Sequence, residues 1–349
     1  MSRCTGYAAL QPKAPLVPFD FERRAPRAHD VEIAISHCGV CHSDLHEVRS
    51  EWHARGVFPM VPGHEIIGVV QSVGPEVQEF AVGDRVGVGC MVDACRECGP
   101  CKQGLEQYCE RGFVGTYGGR ERGTDKPTYG GYSKRIVVDE AFVLHVPKAL
   151  DSAGAAPLLC AGITTYSPLK HWRVGKGTRV GVVGLGGLGH VAVKIARAMG
   201  AEVTLFTSTA AKVEDGKRLG AHQVVVSSER EQLKKVRGSL DFILNCVAAK
   251  HNLDTYMQLL RLDGTMVMVG LPDVPPDPPQ VRNLIFKRAS LAGSLIGGIA
   301  ETQEMLDFCG EHKIVSDIES IQIAQINEAY ERMLKSDVRY RFVIDMASL

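Results

Sequence analysis

The sequence predicts an α/β protein in two parts, a β-rich half joined to a doubly wound parallel sheet. Three observations carry this reading. Short apolar runs separated by turns fill the first 150 residues, strand and helix periods alternate from about residue 153, and a glycine-rich turn opens a helix within that alternation. At 349 residues the chain is long for one core, and 45% hydrophobic content is enough to bury two.

In the first half VEIAIS (31–36), IIGVVQSVG (66–74), RVGVG (85–89) and SKRIVV (133–138) read as strands. AAPLLCAGITTYSPLKHW is long enough for a helix, with Pro157 tolerable near its start. Six strands are then expected: TRVGVV from 178, EVTLFT from 202, HQVVVS from 222, LDFILNCV from 240, TMVMVG from 265, and a last one near 289–296. The helix from 188 carries Leu188, Val191, Ile195 and Met199 on one face and reaches Gly200, where a C-cap would end it. LPDVPPDPPQ (271–280) is a turn-forming loop. The tail holds two amphipathic stretches, TQEMLDFCGEHK and INEAYERMLKS, and a final apolar strand, YRFVID.

Forty basic residues balance forty acidic ones, with no long basic run. That pattern offers no electrostatic footprint for nucleic acid or an anionic membrane, so a small neutral or phosphorylated partner is expected. The most apolar segment, near 178–199, is interrupted by glycines, His190, Lys194 and Arg197, and does not read as a membrane span. The start, MSRCTGYAALQPKAP, lacks the basic-then-apolar order of a signal peptide, and the expected compartment is the reducing cytoplasm.

Five cysteines stand between Cys90 and Cys109, and Cys95, Cys98, Cys101 and Cys109 form CxxCxxCx7C. Four thiolates this close favour a structural zinc over disulfides or an iron–sulfur cluster, because a loop without its own core needs such a staple. A second grouping is spread along the chain: Cys41, His42, Ser43, Asp44 and His46, then Gly63, His64 and Glu65, then Cys160. Two thiolates and an imidazole can hold zinc with a fourth position left for water or a carbonyl oxygen, although spacing alone only hints at it.

GVVGLGGLGH places Gly184, Gly186 and Gly189 as GxGxxG, with Gly187 and Leu188 inside the turn, directly after a buried strand. Such a turn lets a pyrophosphate approach the backbone and meet the positive end of a helix dipole. The second strand of an NAD site normally ends in Asp or Glu. Here it ends Leu205, Phe206, Thr207, Ser208, Thr209, with Lys212 a turn later. Hydroxyls and a cation suit a 2′-phosphate, so NADP(H) is expected.

GVCHSDLH, VPGHEIIGVV, the four-cysteine loop, LLCAGITTYSPL, GLGGLGH and DVRYRFVID, in this order, resemble the zinc-dependent medium-chain alcohol dehydrogenases over nearly the whole chain. The likeness is strongest to the cinnamyl alcohol dehydrogenase branch, with its bacterial YahK-type aldehyde reductases. It implies a GroES-like catalytic domain (1–152 and 297–349, structural-zinc loop 90–110) and a Rossmann domain (153–296). It further implies that Cys41, His64 and Cys160 hold a catalytic zinc with Glu65 as an exchangeable ligand, so that two Zn²⁺ bind per chain. Asp44 would orient His64, while Ser43 and His46 would relay protons. His42 would face the pyrophosphate, Thr164 the nicotinamide and Arg341 a phosphate, and Trp52 would line the substrate cleft.

The implied activity is reversible reduction of aldehydes, aromatic ones included, to primary alcohols by a homodimer joined through the last strand of the nucleotide sheet. An NADP-dependent polyol or sugar dehydrogenase is the rival enzyme, and a non-catalytic zinc and NADPH-binding protein the rival outside catalysis. The polar end of the second strand makes the cofactor reading testable: kcat/KM is expected to favour NADPH over NADH, and a preference for NADH in steady-state kinetics would contradict it.

Overall fold

In a computed structural model, the structure describes residues 2–52, 56–272 and 274–349. The chain divides into two units, Met1–Cys160 with Gly297–Leu349, and Ala161–Ile296. The division falls at a break in the backbone. The expected long helix is in fact a short helix, Ser152–Ala155, a 3-10 turn, Ala156–Leu159, and a helix, Ala161–His171. Pro157 has no N–H to give to a continuous ladder, and Cys160 stands between the pieces at φ −127° and ψ −67°. The side chain of Asp151 caps the first piece by accepting from Gly154 N at 2.8 Å.

The first unit is built on the long strand Asp30–Val40. It pairs antiparallel with Ile66–Val73, with Arg135–Asp139 and, at its far end, with the C-terminal strand Arg341–Asp345. The sheet continues through Arg85–Val88 and Leu144–His145 on one side and through Ile318–Gln322, parallel to the C-terminal strand, on the other. Val31, Ile33 and Ile35 point into the core at alternate positions, and Phe342, Val343 and Ile344 are all buried. An N-terminal hairpin, Ser2–Ala9 with Leu16–Arg23, is tied on by Arg23. Its guanidinium donates to the carbonyls of Arg135, Tyr129 and Gly130 and to Ser133 Oγ at 2.8–3.1 Å. Burial pushes this group down to about 10.

The second unit is a six-stranded parallel sheet. In spatial order its strands are Gln223–Val226, Glu202–Thr207, Arg179–Val183, Leu240–Asn245, Leu260–Met268 and Ser290–Gly293. The order reverses between the first and fourth strands of the chain, the switch point where an open α/β sheet takes its ligand. Phe206, Ile243, Met257, Leu260 and Met266 pack one core cluster. The helix Gly189–Ala198 buries Val191, Val193 and Ile195 and ends before Gly200, whose φ of +88° favours glycine. The fifth strand begins at Leu260, five residues earlier than TMVMVG implies, through an irregularity opposite Leu240–Phe242. Among the described residues no helix is long and apolar enough to cross a membrane.

Candidate metal centres and nucleotide site

The loop 90–115 leaves the sheet as Met91–Asp93, paired with Val114–Gly115, and between them folds a single helical turn, Gly99–Lys102, and a 3-10 turn, Glu106–Tyr108. These turns bring one sulfur each from Cys95, Cys98, Cys101 and Cys109 within 4.8 Å of one another. Backbone amides point at the sulfurs: Cys98 N lies 3.4 Å from Cys95 Sγ, and Cys95 N 3.4 Å from Cys109 Sγ. The amides of Glu97 and Cys98 draw Cys95 down to about 6, whereas burial pushes Cys101 up to about 12. Thiols so close cannot all ionise unless a cation sits among them, and an all-sulfur set at this spacing fits tetrahedral zinc.

Cys90 is not part of this cluster. Its Sγ lies 3.7 Å from the carbonyl oxygen of Leu159, the residue preceding Cys160.

The second cluster gathers Cys41, His64, Glu65 and Cys160, whose donor atoms again lie within 4.8 Å of one another. Cys41 caps the short helix His42–Val48 that follows the long strand, His64 and Glu65 precede the strand Ile66–Val73, and Cys160 occupies the break after the 3-10 turn. Cys41 and Cys160 stand sulfur to sulfur at 4.0 Å. Their contact lowers Cys41 far below the usual thiol value and raises Cys160 far above it, so one sulfur holds charge at the expense of the other. Burial pushes the Glu65 carboxyl up to about 8 even though Arg341 pulls the other way. Its Oε2 is buried with no hydrogen-bond partner among the described residues. Two sulfurs, a ring nitrogen and an orphaned carboxylate oxygen fit a zinc ion with one replaceable ligand.

Asp44 supports this cluster, its Oδ1 accepting from His64 Nδ1 at 3.0 Å. With that proton on Nδ1, the lone pair of Nε2 is left for a metal. Burial opposes a charge on His64, but Asp44, Cys90 and Cys41 outweigh it and hold the ring well above its ordinary value. The ring of Tyr117 stacks on His64 at 5.8 Å.

Arg341, expected at a phosphate, is instead buried against the metal cluster. Its guanidinium pairs with Glu65 and donates to Val40 O at 2.9 Å, because the pairing of Phe342 with Val40 fixes the neighbouring Arg341 there. The Ser43 hydroxyl is 3.5 Å from Cys41 Sγ. His46 stacks on Trp52 at 4.8 Å and shares its Nδ1 with Glu51 Oε2 at 2.6 Å. Glu51, Tyr117 and Tyr132 were not singled out by the sequence, and Glu51 alone carried a local signal, a carboxylate five residues after the histidine. His42 is exposed, with its ring 6.3 Å from that of His46.

In the second unit Gly184 turns the chain at φ +94°, and a Cβ on Gly189 would lie 1.8 Å from Gly184 O. Gly186 is exposed, Gly187 and Leu188 are half-buried, and a Cβ at Gly186 would meet nothing, which leaves the turn open on its outer side. Lys212 Nζ reaches back to the carbonyl of Leu185 at 3.0 Å. Ser208 is exposed at the end of the second strand. Thr207, expected to offer a hydroxyl to a phosphate, is buried, with its Oγ1 3.5 Å from both Thr209 N and Thr209 O. Thr164 is buried on the helix Ala161–His171.

Residues 27–148 match the alcohol dehydrogenase GroES-like domain, and residues 187–311 match the zinc-binding dehydrogenase domain. The aldehyde reductase YahK of Escherichia coli is 57% identical over 98% of this chain and 97% of its own. A cinnamyl alcohol dehydrogenase from Sorghum bicolor superposes with a TM-score of 0.95 at 44% identity, covering 99% of this chain and 98% of that one. A Helicobacter pylori homologue, solved as a complex with NADP(H), gives 0.92 at 43% identity with the same coverage. The chain belongs to the zinc-dependent medium-chain alcohol dehydrogenase family.

The clash at Gly189 gives the turn a sharp test. Gly189→Ala is expected to abolish binding of NADPH while leaving both metal clusters loaded, as read by nucleotide fluorescence titration and elemental analysis.

Proposed function

We propose that this protein is a cytoplasmic, zinc-dependent NADP(H) oxidoreductase that interconverts aldehydes and primary alcohols, aromatic ones included. The observation that carries the reading is the convergence of Cys41, His64, Glu65 and Cys160 at a place separate from the four-cysteine loop. Relatives named aldehyde reductase and cinnamyl alcohol dehydrogenase support the substrate class. When bound, zinc supplies a Lewis acid for a carbonyl or alcohol oxygen, and the nicotinamide supplies or accepts hydride.

The chain's own residues do the rest. Cys41, His64 and Cys160 would hold the ion, with Glu65 near enough to serve as an exchangeable ligand. Arg341 limits that exchange, because its guanidinium competes for Glu65. Cys95, Cys98, Cys101 and Cys109 secure the loop.

Ser43 Oγ, beside Cys41, is placed to exchange a proton with the substrate oxygen. His46 passes it on, with Glu51 holding the Nδ1 side of the ring and fixing its tautomer. Trp52 stacks on His46 and offers an aromatic wall, which suits bulky or aromatic aldehydes. The glycine turn from Gly184 to Gly189 would take the pyrophosphate. Ser208 and Lys212 would take the 2′-phosphate, and Thr164 would contact the nicotinamide.

Cys160→Ala is expected to abolish NADPH-dependent aldehyde reduction and to lower zinc content from two ions per chain to one. Loss of neither activity nor zinc would overturn the assignment.

The assembly is a homodimer joined along the free edge of Ser290–Gly293. Among the described residues that strand pairs on one side only, and Val281, Ile285 and Phe286, which precede it in sequence, are 63%, 69% and 81% exposed. Phe286→Lys is expected to shift the sedimenting species from dimer to monomer, and an unchanged dimer would exclude this edge.

A further inference from the structure

The buried carboxylate of Asp44 receives four donors. Oδ1 accepts from His64 Nδ1 at 3.0 Å and Gly63 N at 3.2 Å, and Oδ2 accepts from Cys41 N at 2.9 Å and the Tyr132 hydroxyl at 3.1 Å. A carboxylate offers about four lone-pair sites, so this one is filled. Two of the donors are backbone amides of the metal-binding segments and one is a metal-binding ring. The fourth is a phenol 88 residues away in sequence.

The phenol is held by the segment it serves. Gly130 N, Gly131 N and Tyr132 N donate in turn to Val61 O, Gly63 O and Pro62 O at 2.7–3.0 Å. Tyr132 is fully buried, and its ring occupies the space over Gly63, where a Cβ would come within 2.7 Å of Cδ1. Gly63 is therefore needed twice, for its φ of +102° and for the ring above it. From this seat the hydroxyl donates to Asp44 Oδ2.

We propose that Tyr132 is a positioning residue for the catalytic metal. Its hydroxyl fixes the rotation of the Asp44 carboxylate and, through Oδ1, the plane and tautomer of the His64 ring. This rests on the assignment of Cys41, His64 and Cys160 as zinc ligands. Without the phenol, Oδ2 keeps only the Cys41 amide, and the carboxylate gains a torsional freedom that the His64 ring inherits. Tyr132 is fully buried, so its effect passes through metal retention.

The test uses the holoenzyme and its two ions. Tyr132→Phe keeps the ring over Gly63 and removes only the donor. Release of the catalytic zinc to a chelator is expected to become roughly tenfold faster, with the four-cysteine ion leaving at the wild-type rate. Cobalt exchanged into the catalytic position is expected to show shifted d–d bands. In an Asp44→Asn background the Tyr132→Phe change is expected to add nothing. Release at the wild-type rate, equal acceleration of both ions, or full additivity with Asp44→Asn each overturns the proposal. A wild-type protein that carries only the four-cysteine ion overturns the ligand assignment itself, and the proposal with it.

Discussion

A carboxylate, an imidazole and two thiols buried within one small space repel or protonate one another unless a cation joins them. That constraint governs the first unit. Arg341 supplies one positive charge to Glu65, but Glu65 Oε2 stays without a partner among the described residues, and the two sulfurs, 4.0 Å apart, oppose each other's ionisation. The four-cysteine loop shows the same imbalance, with one thiol drawn down and another pushed up. Both clusters are arranged for a dication, and the surrounding hydrogen bonds serve to hold the donors in place until one arrives.

The strand Asp30–Val40 is where these contributions meet. Its end delivers Cys41, its pairing with Ile66–Val73 delivers His64 and Glu65, and its pairing with the C-terminal strand delivers Arg341. Gly39 shows how tight the fit is, since a Cβ there would overlap Glu65 Oε2 at 2.0 Å. Cys160 comes from a backbone break that no regular helix would allow. A site built from strand ends and one irregular turn inherits the rigidity of the sheet without being confined to one stretch of sequence.

What could be read in advance follows from the range of the forces involved. The nucleotide sheet was legible because each buried parallel strand is an apolar run and GxGxxG sits between a strand and a helix, so local pattern suffices. The four-cysteine loop was legible because its ligands are neighbours in sequence. The N-terminal hairpin escaped notice because Pro12, Pro15 and Pro18 interrupt its period, and Ile318–Gln322 because it alternates weakly. The break at Cys160 needed Pro157 to be read as a stop rather than as a tolerated residue. Spacing alone only hinted at the set of Cys41, His64 and Cys160, and family resemblance supplied it. Tyr132 and the seating of Arg341 were beyond reach, since each depends on a contact between segments far apart in the chain.

The insertion of residues 161–296 within the first unit has a consequence for biosynthesis. The inserted sheet is contiguous and can assemble as soon as its last strand leaves the ribosome, whereas the strand that seats Arg341 follows it in sequence. The newborn polypeptide therefore carries a finished nucleotide fold while its other half waits with an open sheet edge and the Glu65 carboxylate unanswered. That half can close only once the strand Arg341–Asp345 has emerged to pair with Asp30–Val40.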